Sequence, residues 1–92
     1  DKLSLQVKIG KRIKELRESK NISQVDLAYA CDFEKSNMSR IEAGKTCPNI
    51  YTLYKIAQHL EINLSELVSS QLKNDLDENK KAVQYYTAFY LL

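Results

Sequence analysis

Apolar residues return every three or four positions along most of this chain, and that spacing, repeated in short capped segments, limits the fold to a packing of helices. Leu5, Ile9, Ile13 and Leu16 stand four, four and three apart among charged neighbours, so residues 5–20 read as one amphipathic helix. Asn21-Ile22 ends it. Ser23-Gln24-Val25-Asp26 is then a capping box, in which a hydroxyl and a carboxylate each satisfy an amide of a new first turn. The short helix it starts, from Gln24 to about Cys31, is expected to bury Leu27, Ala28 and Cys31.

Asp32-Phe33 is the only break before the next periodic segment, where Met38 and Ile41 face inward and Lys35, Ser36, Asn37, Ser39 and Arg40 lie on the surface. Two short helices joined by so few residues fit the helix-turn-helix pattern. Such turns commonly use Gly where this chain has Asp32, but Asp tolerates a positive φ better than most residues. Gly44 is placed to close the second of these helices as a left-handed cap. Asn49 is a good N-cap for a helix burying Ile50, Leu53, Ile56, Ala57 and Leu60. Asn63-Leu64-Ser65-Glu66 starts another, with Leu64, Leu67 and Val68 inward, which makes five helices by residue 70. Beyond it Leu72, Leu76, Asn79, Val83, Tyr86 and Tyr90 are spaced 4, 3, 4, 3, 4, a heptad stripe with one polar member, so residues 70–91 read as a further helix.

Composition agrees and excludes several functions. The chain has 92 residues, enough for one domain with a thin core, and its two Gly and one Pro are too few for the turns of a β-sandwich. No apolar run approaches the roughly 18 residues of a membrane span, and the opening Asp1-Lys2-Leu3-Ser4 does not resemble a signal peptide, so a cytoplasmic location is expected. The chain begins with Asp rather than Met, as a trimmed product does. Two cysteines, Cys31 and Cys47, and a single histidine, His59, suggest neither a disulfide framework nor a metal site. No cofactor is expected, and no acid-base or nucleophile-base constellation stands at meaningful spacing, so an enzyme is the least expected class. Net charge is only +2, but residues 1–45 hold ten Lys and Arg against seven Asp and Glu. That excess is a modest basic footprint compatible with nucleic acid.

Four blocks carry a family resemblance: Gly10-Lys11-Arg12-Ile13-Lys14-Glu15-Leu16-Arg17, Ser23-Gln24-Val25-Asp26-Leu27-Ala28, Met38-Ser39-Arg40-Ile41-Glu42-Ala43-Gly44-Lys45 and Pro48-Asn49-Ile50-Tyr51-Thr52-Leu53. In order and spacing they resemble the XRE family, the lambda-repressor-like helix-turn-helix proteins that include phage repressors, restriction-modification controllers and antitoxins. The resemblance implies an all-α, five-helix DNA-binding domain over residues 5–69, with an additional C-terminal helical segment over 70–92. It implies that the second helix of the motif lies in the major groove of double-stranded DNA. By the same resemblance Gln24 looks like a phosphate contact at the start of the first motif helix, and Lys35, Ser36 and Arg40 look like base readers. Asn37, Ser39, Lys45 and Thr46 look like positioning contacts on the backbone. Glu34 stands where many relatives carry a small capping residue, so Asp32 is expected to cap the recognition helix instead. Arg17 and Glu42 resemble the pair that joins the first helix to the end of the third in a structural salt bridge.

The resemblance ends before the tail. Leu72, Leu76, Val83, Tyr86, Phe89 and Tyr90 are expected to form a dimer or partner interface, with packing onto the chain's own core as the alternative. The expected function is a transcriptional regulator, a repressor in preference to an activator, acting as a homodimer on a pseudo-palindromic operator. The alternative is an antitoxin whose C-terminal segment binds a toxin while the motif autoregulates its operon; a DNA-binding part of a longer repressor is a third reading.

Overall fold

Three of the described helices begin on a side-chain cap, and four end on the same local turn. The computed structural model describes residues 1–72, and the helices are α1 (Lys2–Ser19), α2 (Gln24–Ala30), α3 (Lys35–Glu42), α4 (Ile50–His59) and α5 (Leu64–Leu72). Among the described residues there is no strand. α1 starts three residues earlier than its apolar spacing suggests, because the Asp1 carboxylate accepts the Ser4 N–H at 2.8 Å and caps the helix there. Ser23 and Asn49 cap α2 and α4 in the same way, accepting from the Asp26 and Thr52 amides at 3.0 and 2.8 Å.

The helix ends share one joint. At α1, α2, α3 and α4 the residue two past the last helical one adopts φ of 57, 61, 73 and 60°: Asn21, Asp32, Gly44 and Glu61. In each case the next amide folds back on a carbonyl of the last turn: Ile22 to Arg17, Phe33 to Ala28, Lys45 to Arg40 and Ile62 to Ala57, at 2.8 to 3.1 Å. This Schellman closure satisfies carbonyls that the helix leaves without partners. Only one of the four uses Gly. Asn and Asp reach the left-handed region at modest cost, but Glu61 has no such advantage. After three of these joints comes an apolar residue packed on the core, Ile22, Phe33 or Ile62; after α3 comes the exposed Lys45.

Asp32 therefore does not cap α3, as its sequence position suggests. Its backbone is consumed in closing α2, and the N-cap of α3 is Glu34, whose side chain makes no capping bond.

The core lies where α1, α4 and α5 close over the α2–α3 pair. Ile9, Ile13, Leu27, Met38, Leu53 and Leu67 are among its fully buried side chains. Burying one such side chain contributes about 1.5–3 kcal/mol, so the apolar spacing of α1 alone accounts for much of its attachment. Ile50, expected in the core, is only half-buried at the first position of α4. α1 packs on both α3 and α5, and its contact with α3 is unusually close at Gly10. A Cβ there would overlap the Ile41 carbonyl oxygen and come within 2.9 Å of that of Glu42. Gly44 repeats the device from the other side, since a Cβ on it would meet Val7 Cα at 2.7 Å. Gln6 completes the seam by donating its amide to the Gly44 carbonyl at 2.9 Å.

Replacing Gly10 by Ala forces α1 off the end of α3, and the expected loss is about 2 kcal/mol or more, read by urea denaturation. Glu61→Gly should raise the unfolding free energy instead, by about 0.5 kcal/mol, because relief at a left-handed position exceeds the added freedom of the unfolded chain. Unchanged stability in the first variant would mean that α1 does not depend on this close approach.

Candidate nucleic-acid interface

α2 and α3 are joined by Cys31–Glu34, and the direction of the chain through this turn is set by Asp32 and by the half-buried Phe33. Met38 and Ile41 fasten the inner side of α3 to the core. Lys35, Ser36, Asn37, Ser39 and Arg40 are consequently all exposed, and Lys45 and Thr46 are exposed in the loop that follows. Among the described residues, the side-chain hydrogen bonds of this group are long. Arg40 Nε donates to the Ser36 carbonyl at 3.4 Å, and the Ser36 hydroxyl donates to Glu34 Oε2 at 3.5 Å, distances at which a hydrogen bond contributes little. These side chains are thus available to an incoming partner at small cost. Asn37, Arg40 and Thr46 also line one side of an open cleft of about 270 Å³, which Phe33, Cys47, Pro48, Asn49 and Thr52 complete. Asn49 and Thr52 have no functional signal in the sequence beyond Asn49's cap; the course of the loop after α3 into the first turn of α4 brings them there.

Behind this face lies a network of charge and amide. Arg17 Nε donates to Glu42 Oε2 at 2.7 Å and its Nη2 to Glu42 Oε1 at 3.0 Å, a two-pronged pair. Its remaining arm, Nη1, donates to the Ile22 carbonyl at 2.8 Å. The Glu42 side chain is only 3% exposed and that of Arg17 only 9%. Hydrogen bonding to Glu42 holds the Arg17 guanidinium above its ordinary pKa, against the opposing effect of burial. Gln24 joins as well, donating its amide to Glu42 Oε1 at 3.0 Å. The residue that family resemblance points toward a phosphate therefore has part of its side chain committed inward. A bare pairing of Arg17 with Glu42 does not anticipate this, although a carboxylate has more acceptor sites than one guanidinium fills.

Two further contacts complete the picture. Lys55 Nζ sits 5.1 Å from the ring centres of both Phe33 and Tyr51, a double cation–π contact that the Tyr51–Lys55 spacing of four permits on one helix. Cys31, at the end of α2, is fully buried, and burial pushes its thiol up, with the charge of Lys55 acting in the opposite direction. Cys47 is half-buried in the cleft. Among the described residues no group of three or more His, Cys, Asp or Glu is placed to hold a metal ion, and no helix is long and apolar enough to cross a membrane. Of the tail positions, Leu76, Val83, Tyr86, Phe89 and Tyr90 lie outside the described residues, and Leu72 is the last residue of α5.

A short helix, a left-handed turn and a second helix that shows solvent only polar side chains define a helix-turn-helix protein. The chain belongs to the HTH_3 helix-turn-helix family, the XRE family of DNA-binding transcriptional regulators, whose family model matches residues 13–67. It is 36% identical over 66 residues to the control protein C.MunI of a Mycoplasma species, covering 71% of this chain and 89% of that one. It is 32% identical over 63 residues to the immunity repressor protein of Bacillus phage phi105, over 68% of this chain and 44% of the repressor. Its fold is similar to that of the restriction-modification controller protein C.AhdI from Aeromonas hydrophila, with a TM-score of 0.66 and 34% identity over 67% of this chain and 94% of the other.

Removing one member of the buried pair strands the other. Glu42→Ala should cost about 3–5 kcal/mol in chemical denaturation. The double change Arg17→Met with Glu42→Leu should recover part of that loss, since no buried charge is then left without a partner. A loss below about 1 kcal/mol for Glu42→Ala would assign the pair the energy of an exposed one.

Proposed function

We propose that this protein is a sequence-specific transcriptional repressor that binds a two-fold symmetric DNA site as a homodimer. The observation that carries the reading is the outer face of α3, where five polar side chains are exposed on a helix whose other side is locked into the core. Lys35, Ser36 and Arg40 read base edges in the major groove, Arg40 through the two parallel donors that match guanine O6 and N7. Asn37, Ser39, Lys45 and Thr46 fix the register on the sugar-phosphate backbone, and Gln24 adds a phosphate contact through the part of its amide that Glu42 leaves unused. Residues 5–69 form the reading domain and residues 70–92 the dimerisation segment. Leu72, Leu76, Val83, Tyr86, Phe89 and Tyr90 supply that segment's apolar stripe, with Asn79 setting register as a polar residue does in a coiled coil. Two copies would then meet half-sites about 34 Å apart, one turn of the duplex. Such a regulator works beside the DNA, in the cytoplasm, and is a binding protein rather than an enzyme.

Selection of bound duplexes from a random pool tests both parts. A consensus with two-fold symmetry is the expected result; no enriched sequence overturns the reading of DNA sequence, and an enriched but asymmetric one overturns the dimer. On the selected duplex Arg40→Ala should lose about 1–3 kcal/mol while its binding to a scrambled duplex is kept. Equal losses on both would remove Arg40 from the base readers.

A further inference from the structure

The start of α3 lacks the support that the starts of α1, α2 and α4 have. Glu34 occupies its N-cap without a side-chain bond, and the Asn37 and Met38 amides depend on the Glu34 carbonyl alone, at 3.0 and 3.3 Å. Just before it, Phe33 donates its backbone amide to Ala28 at 2.8 Å and lays its ring under the ammonium of Lys55. Lys55 is half-buried on α4, and its second aromatic partner, Tyr51, is one turn earlier on the same helix. A cation held over two rings cannot slide along either without losing the other. The turn is thereby tied across to α4, an element with its own cap and its own anchor in the core. The influence of Lys55 on the Cys31 thiol places the same charge near the far end of α2 as well.

We propose that Lys55 is a positioning residue for DNA reading: held between Phe33 and Tyr51, it fixes the turn from which α3 starts. The inference rests on the reading of α3 as the DNA-contacting helix, but its first test needs no DNA. In the intact chain, Lys55→Met keeps the stem and removes the charge. Native-state amide exchange at Asn37 and Met38 should then accelerate about five- to tenfold relative to core amides such as those of Ile13 and Leu53. Lys55→Arg, whose planar cation also stacks on aromatic rings, should restore slow exchange. Phe33→Leu should have the same effect as Lys55→Met, and the double variant should be no worse than either alone. Uniform acceleration over the whole core, or none at Asn37 and Met38, overturns the proposal whatever the DNA measurements give.

The second test uses the duplex recovered by selection and a scrambled duplex of equal length. Lys55→Met should weaken binding to the selected duplex about five- to tenfold and leave the scrambled one within about twofold, with the salt dependence of binding unchanged. A fall of about one in the salt slope would make Lys55 a phosphate contact and overturn the positioning role. If the wild-type protein does not distinguish the two duplexes, the DNA reading of α3 fails while the exchange result still decides the clamp.

Discussion

One guanidinium holds the reading motif in place. Arg17 spans from α1 to Glu42 at the end of α3 and to the Ile22 carbonyl before α2, and Gln24 at the start of α2 reaches the same carboxylate. Both ends of the motif are therefore referenced to a single side chain on a helix outside it. Charge of this kind costs desolvation, and hydrophobic residues of like volume give equal or greater stability in other proteins. What a guanidinium adds is direction: its donors lie in one plane at fixed angles, so the helices must meet it in one relative orientation. Gly10 and Gly44 serve the same end by removing the bulk that would keep α1 from lying against the end of α3.

The fold was legible because its signals are local. The α2 and α4 caps are side-chain groups three residues from the amides they satisfy, and buried positions follow the 3.6-residue period, so both can be read along a line. Asp32 reads as a cap from sequence yet closes α2 instead, because one residue can serve either the end of one helix or the start of the next, and propensity alone does not choose. The choice is made by Phe33, whose burial on the core draws the chain into the left-handed turn. Ile50 shows the complementary limit, since the first position of a helix lies at its rim whatever its period.

The site was legible to a lesser degree. The exposed residues of α3 follow from which of its neighbours are buried. The partners behind them do not, because Gln24 with Glu42 spans 18 residues and Lys55 with Phe33 spans 22. Contacts at such separation depend on how α4 and α1 cross the motif, and nothing in a helical period states a crossing. The cleft beside Arg40 has the same origin: the loop and α4 that line it with α3 are continuous in the chain, yet their approach is set by the core.

The joint at the end of α3 differs from its three counterparts in one residue. Where the others turn an apolar side chain inward, Lys45 turns outward, and its backbone amide is bound to the carbonyl of Arg40 at 2.9 Å. Two cations are thus carried on main chain that cannot stretch, one on the last turn of the helix and one immediately after its cap. The interval between their backbones is set by peptide geometry and survives any rotamer change. The two side chains therefore leave the main chain at a fixed separation, and only their charged ends are free to adjust.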